Sequence, residues 1–231
     1  MEDELNLMSK NIVWELAELP KGAKPVGCKW VFKTKLDPNR NIERYKAHLV
    51  AKDYTQKEGI DYKETFSFVS RKDSLRIVMA LVAHFELELH QMEVKTAFLN
   101  GNLHEDVYMA QPQGFKPKGQ EHLVCKLKKS IYGLKQASRQ WYLKFNEVMK
   151  EHNFIKNQVD HCVYLKMSGS NFIILVLYVD DIVLASNNID LLHESKHFLS
   201  KNFDMKDLGE ISYVFGIETH RDRANRKLEL S

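Results

Sequence analysis

Asn171-Phe-Ile-Ile-Leu-Val-Leu-Tyr178-Val179-Asp180-Asp181-Ile182-Val-Leu-Ala185 is the stretch whose reading decides the fold. Asn171 to Val179 reads as a buried strand and Ile182 to Ala185 as a second one, with two adjacent carboxylates between them, where a hairpin turns. Ionised carboxylates beside so much apolar surface cost roughly several kcal/mol each unless something compensates, and two so close repel each other. Either their pKa values rise or a cation is present. A hard divalent ion with oxygen ligands, Mg²⁺ above all, is the natural compensation. A solvated Asp-Asp turn, common in hairpins, accounts for the tetrapeptide as well, so the surrounding stretches have to decide.

Upstream, Asp160 to Lys166, the turn Met167-Ser-Gly-Ser-Asn171 and the Phe172 strand form a meander leading into the Asp pair. Downstream come a helix from about Ile189 to Asn202, then Lys206-Asp-Leu-Gly209 and a strand-like Ser212 to Thr219. That helix contains His193-Glu194-Ser195-Lys196-His197, which matches the His-Glu-x-x-His pattern of zinc peptidases. At 100° per residue, Leu191, Leu192, Ser195, Phe198 and Leu199 cluster on one side and both histidines on the other, facing water. A catalytic zinc helix needs them turned into a cleft with a third ligand, so a zinc peptidase is only a remote alternative.

Further out, residues 28–35 alternate polar and apolar, Asp37-Pro38-Asn39-Arg40-Asn41 is turn chemistry, and Ile42 to Lys52 alternates again. This is a hairpin carrying Arg44, Lys46 and Lys52, which could hold phosphates or simply block edge-to-edge aggregation. Ser70-Arg-Lys-Asp73 can cap a helix over Ser74 to Glu86, apolar nearly all round and therefore expected to be buried. A strand follows from about Leu87 to Val94, with Glu93 near its end, and Asn100-Gly101 marks a turn. Residues 123–134 read as a strand entering a Gly-centred turn. After it comes an amphipathic helix from about Ala137 to His152, with Trp141, Phe145 and Val148 on one face.

The totals describe a globular chain: 231 residues, 44% hydrophobic, 10% aromatic. No apolar run approaches the ~20 residues of a membrane span, and the acidic N-terminus is unlike a secretion signal. Cys28, Cys125 and Cys162 are far apart and odd in number, which suggests reduced thiols in an intracellular protein. The net charge of +3 is unevenly spread. Residues 21–57 hold ten Lys/Arg against three acids and residues 116–144 eight against one, leaving 16 basic and 27 acidic residues elsewhere. Two basic segments on an otherwise acidic chain fit a polyanion-binding cleft better than general solubility.

Trp30-Val-Phe-Lys, Arg44-Tyr-Lys-Ala-His-Leu-Val-Ala-Lys, Tyr54-Thr-Gln-Lys-Glu-Gly-Ile-Asp-Tyr, Val94-Lys-Thr-Ala-Phe-Leu-Asn-Gly, Tyr132-Gly-Leu-Lys-Gln-Ala-Ser-Arg-Gln-Trp, Tyr178-Val-Asp-Asp and Lys206-Asp-Leu-Gly stand in one order. Together they make the chain resemble the reverse transcriptase of copia-type retrotransposons, from about Trp14 to the last residue. The resemblance implies an α+β fold, the fingers and palm of a right-hand polymerase with an antiparallel palm sheet. It implies residues 1–13 as an N-terminal extension and 14–231 as the fingers–palm domain, ending where the thumb would begin. Its partners would be a primed RNA or DNA template and deoxynucleoside triphosphates. In the family such a segment belongs to a Pol polyprotein with protease, integrase and RNase H, inside the cell in a cytoplasmic virus-like particle or the nucleus.

Carried over by residue, Asp180 and Asp181 match the carboxylates of the palm hairpin, and Glu93 stands where the family has its first catalytic Asp. The three would hold two Mg²⁺, with Mn²⁺ as a substitute. Phe98 matches the aromatic that excludes a 2′-hydroxyl. Gly133, Lys135 and Gln136 lie in the turn contacting the new base pair, Lys206 near the leaving phosphates, and Arg44 and Lys46 in the fingers hairpin. Four residues depart from the pattern: Glu93 for Asp, His48 for Arg, Asp53 for Gly and Phe68 for Pro. Several departures together suggest a decayed or truncated copy, so the alternative to an active polymerase is a catalytically dead remnant that keeps the fold and binds nucleic acid weakly.

Overall fold

The computed structural model describes residues 1–36, 40–214, 217–223 and 227–230. Along the chain the elements are α1 (Glu2–Lys10), β1 (Trp14–Ala17), β2 (Cys28–Leu36), β3 (Ile42–Ala51), α2 (Lys72–Phe85), β4 (Glu88–Val94), β5 (Asn102–Met109), β6 (Val124–Lys129) and α3 (Ala137–Glu151). There follow β7 (Ile155–Lys156), β8 (Val163–Ser168), β9 (Asn171–Tyr178), β10 (Asp181–Ser186), α4 (Ile189–Asn202), β11 (Met205–Glu210), β12 (Tyr213–Val214), β13 (Ile217–Asp222) and β14 (Lys227–Leu230). Helices thus accompany strands whose named pairings are all antiparallel. Two compact units emerge, each from two separated segments: residues 1–67 with 98–144, and residues 68–97 with 145–231.

In the first unit β6 lies between β1 and β5, and β2 pairs with β3 as a separate two-stranded ribbon. The core gathers Met8 from α1, Leu49 and Ala51 from β3, Val107 and Met109 from β5, and Cys125 and Leu127 from β6. Helix α1 thus contributes Met8 to this core. The turn expected at Asp37-Pro38-Asn39 lies outside the described residues, but the strands on either side pair from Cys28↔Ala51 to Lys35↔Arg44. The second basic segment is partly committed: Lys126 pairs with Asp106 at 2.8 Å, Lys128 with Glu15 at 2.6 Å and Arg139 with Glu64 at 2.5 Å. Three of that segment's eight cations thus meet local carboxylates, which reduces but does not remove what it offers a polyanion.

The second unit is built on a six-stranded sheet in the order β11-β4-β10-β9-β8-β7. One face packs Leu89, Val176, Val183 and Ala185 against Leu75, Val78, Met79 and Val82 of α2. On the opposite face, Lys196 of α4 places its Nζ 2.7 Å from His90 Nδ1 and 2.7 Å from Asp207 Oδ1. Helix α2 is amphipathic rather than buried all round, since Ile77 and Phe85 are 62% and 57% exposed. Nor is it capped by its own neighbours. Its N-cap is Arg71, without a side-chain cap, and the acceptor comes from 89 residues away, where Asp160 Oδ2 takes the Arg71 N–H at 2.9 Å and the Ser70 hydroxyl at 3.1 Å. Asp73 instead receives Arg76 at 2.9 Å. The strand expected over Ser212 to Thr219 divides into β12 and the start of β13, and residues 215–216 between them lie outside the described residues.

Candidate active site

Strands β9 and β10 are joined by Val179 and Asp180 alone, with Tyr178 opposite Asp181. A two-residue connection between twisted strands requires positive φ at its first or both central positions, and Val179 supplies it at φ 57. For a β-branched residue this is strained, at a cost of about 1–3 kcal/mol. The sheet holds the turn in place from the side, because Val94 N donates to Asp180 O at 2.7 Å.

Cross-strand register then assembles the charged groups. Asp181 on β10 lies opposite Glu93 on β4, and Glu93 lies opposite Lys206 on β11. Residues directly opposite on antiparallel strands share a face, with Cβ atoms about 4.5–5.5 Å apart. Asp181, Glu93 and Lys206 therefore form one row across three adjacent strands, and Asp180 sits at the turn beside it. Burial pushes the Asp181 carboxyl above the ordinary Asp range; the Gln91 amide, whose Nε2 donates to Asp181 Oδ1 at 2.9 Å, pulls it down, and Asp180 and Glu93 push it up. Asp181, with Asp180 and Glu93 close enough to push its carboxyl up, completes a set offering only oxygen, the donor chemistry of a hard divalent cation. Among the described residues, no three His, Cys, Asp or Glu side chains are gathered closely enough to cage an ion unaided. Such an open set suits a metal that keeps waters and takes substrate phosphates as ligands.

The remaining candidate residues belong to the first unit and form two groups. The turn after β6 has Gly133 at φ +87, and a Cβ there would stand 2.2 Å from Ala51 O, so only glycine lets the turn meet β3. Gln136 is fully buried; its Oε1 accepts from Gln56 Nε2 at 3.0 Å and its Nε2 donates to Asp61 O at 2.9 Å. Gln56 Oε1 in turn accepts the Lys135 N–H at 2.9 Å, while Lys135 Nζ reaches Tyr62 Oη at 3.1 Å and stands 4.7 Å from its ring centroid. Tyr132 packs edge-on to Phe98 at 5.0 Å and against His48 at 5.0 Å. The structuring role of Gln56, Asp61 and Tyr62 escapes sequence reasoning, since an amide ladder between segments 80 residues apart leaves no local periodicity.

Arg44 and Lys46 form the other group. On the β2–β3 ribbon Arg44 lies opposite Lys35 and Lys46 opposite Lys33, so four cations share one face. Like charges directly opposite destabilise a strand pair, and an anion relieves that repulsion. Of the departures, His48 is 3.2 Å from Glu4, and Phe68 packs edge-on against His161 at 4.2 Å between ring centroids. The His193 and His197 rings point outward from α4, and Glu194 is held by Lys166 at 3.0 Å, which leaves the zinc-peptidase motif without a cleft.

Metal-dependent phosphoryl-transfer enzymes draw metal ligands from carboxylates of this type. Residues 11–231 match the family model described as reverse transcriptase (RNA-dependent DNA polymerase). The chain belongs to that family, in its copia-type branch. It is 50% identical to the retrovirus-related Pol polyprotein from transposon TNT 1-94 of Nicotiana tabacum, over 100% of this chain and 18% of that protein. With the Pol polyprotein from transposon RE1 of Arabidopsis thaliana the identity is 40%, over 96% of this chain and 15% of the other. The chain therefore spans less than a fifth of the length of these relatives. A structure of apo telomerase from Candida tropicalis, truncated from the C-terminal domain, aligns over 98% of this chain and 59% of its own, with 12% identity and a TM-score of 0.45. Reverse transcriptases as a family use divalent metal ions. No helix among the described residues is long and apolar enough to cross a membrane.

Proposed function

We propose that the chain carries RNA-directed DNA synthesis as the fingers and palm of a copia-type Pol protein, with the six-stranded sheet as palm and the β2–β3 ribbon in the fingers. The observation that supports this best is the register placing Asp181, Glu93 and Lys206 in one row beside Asp180. Glu93, Asp180 and Asp181 would hold two Mg²⁺, for which Mn²⁺ can substitute. When bound, such ions activate the primer 3′-oxygen and stabilise the departing pyrophosphate.

The chain's own groups do the rest. Lys206 presents an ammonium in the carboxylate row, where it neutralises charge on the leaving phosphates. Arg44 and Lys46, with Lys33 and Lys35 opposite, receive phosphates on the ribbon. Phe98, braced by Tyr132, fills the space a 2′-hydroxyl would occupy and so selects deoxynucleotides. Gly133, Lys135 and Gln136 form a turn, fixed by the Gln56 ladder, that meets the new base pair. The substrates are a primed template and deoxynucleoside triphosphates, and the setting is an intracellular polyprotein, in a cytoplasmic virus-like particle or the nucleus.

Primer extension on a primed RNA template, by a Pol-length protein containing this chain, tests the reading. Metal-dependent extension that Asp180→Asn abolishes is the expected result. Extension that survives Asp180→Asn removes the carboxylates from the chemistry.

A further inference from the structure

Gln91 is one of the few polar side chains buried in the sheet, 7% exposed, and it stands where the apolar core gives way to the carboxylates. Along β4, Leu89, Gln91 and Glu93 share one face; Leu89 belongs to the core packed on α2. Its cross-strand neighbours are Val183 on β10, fully buried and apolar, and Gly209 on β11, which has no side chain. Neither can satisfy an amide. The side chain reaches along the sheet instead, and Nε2 donates to Asp181 Oδ1 at 2.9 Å.

The chemical type of the donor matters. A lysine or arginine here would hold Asp181 equally well, but its charge would compete with a cation for the same carboxylates. An apolar side chain would leave Asp181 free to rotate on the edge of a buried surface. A neutral amide fixes one carboxylate oxygen, leaves the negative charge of the set intact, and leaves the second oxygen free.

We propose that Gln91 is a positioning residue for the divalent-cation site, acting through Asp181, and this rests on the reading of Glu93, Asp180 and Asp181 as the metal carboxylates. Partners that orient metal ligands are commonly worth about 10- to 100-fold in affinity.

The test is a Mn²⁺ titration of the 231-residue chain followed by electron paramagnetic resonance, with thermal unfolding measured on each variant. Gln91→Met keeps the length and volume and removes the donor. It is expected to unfold with the parent's midpoint and to bind Mn²⁺ at least about 10-fold more weakly. Asp180→Asn is expected to weaken binding as well. Parental affinity in Gln91→Met together with loss in Asp180→Asn overturns the proposal alone, whereas parental affinity in Asp180→Asn overturns the metal-site reading and the proposal with it. If Gln91→Met also lowers the unfolding midpoint, the double variant with Asp181→Asn decides. An effect acting through Asp181 vanishes in that background, while a general loosening of the fold adds to it and overturns the proposal.

Discussion

Glu93 keeps the charge and oxygens of the Asp expected in its place, but its extra methylene displaces the carboxylate by on the order of 1 Å, and a misplacement of that size can cost about 100-fold in rate. Mg²⁺ demands near-ideal octahedral geometry at short distances, whereas Mn²⁺ takes the same oxygen ligands with more tolerance. Glu93 is fixed in register between Asp181 and Lys206, so its backbone cannot retreat to absorb the added length. Weak Mg²⁺-dependent extension, better extension with Mn²⁺ and a gain with Mg²⁺ on Glu93→Asp are therefore expected, measured on a primed RNA template in a Pol-length protein. An unchanged Mg²⁺ rate in Glu93→Asp would remove Glu93 from the metal set. The Asp180–Asp181 pair draws attention in the sequence because paired charge between apolar strands has to be explained, whereas a single carboxylate such as Glu93 at a strand's end is ordinary and enters the candidate set only through the family resemblance. Gln91 draws none, because a lone amide in a strand is ordinary until the register shows that its cross-strand neighbours are Val183 and Gly209.

Among elements, α2 shows how a helix can be read correctly and its anchoring missed. Its apolar spacing predicts the helix, yet the group that holds its N-terminus, Asp160, lies in the loop before β8 and accepts from Ser70, Arg71 N and Cys162 N. Burial pushes the Asp160 carboxyl up, but hydrogen bonds from Ser74, Arg71, Cys162 and Ser70 outweigh it and hold the group below the usual Asp range. The sign follows from linkage: a depressed folded pKa gives stability that is present above the unfolded value of about 3.9 and is lost as pH falls through the folded value. Asp160→Ala strands several donors and is expected to cost on the order of 2–4 kcal/mol at pH 7. In urea unfolding, the gap between parent and Asp160→Asn is expected to shrink as pH falls below about 4. A gap that stays constant down to about pH 2 would show that Asp160 contributes no charge-dependent stability. Strand β11 escapes a strand reading for a related reason. Lys206-Asp-Leu-Gly209 has poor strand propensity, and only pairing with β4, across a register shift between Asp207 and Gly209, makes it one.

At the scale of the whole molecule, charge is legible in the sequence as two basic segments, but the division of labour between them is not. Sequence position could not show that Lys126, Lys128 and Arg139 face Asp106, Glu15 and Glu64, nor that each unit is made of two separated segments. The densest group of like charges facing one way is the ribbon, where Lys33 opposes Lys46 and Lys35 opposes Arg44. Each such like-charge pair costs the fold roughly 0.2–1 kcal/mol, a cost that an anion bound across the ribbon reverses. Replacing Lys33, Lys35, Arg44 and Lys46 by Gln is therefore expected to act in opposite directions on stability and binding. The thermal midpoint at low salt should hold or rise, because repulsion is removed. Affinity for nucleic acid of any sequence should fall, and the slope of log affinity against log salt, between about 50 and 200 mM, should flatten by roughly 0.7–0.9 for each phosphate the ribbon no longer neutralises. A general loss of structure would lower the midpoint and the affinity together, so the opposed signs separate the two explanations. An unchanged salt slope in the fourfold variant would mean that the phosphate backbone does not lie on this ribbon, and the fingers assignment would then have to move to another basic surface.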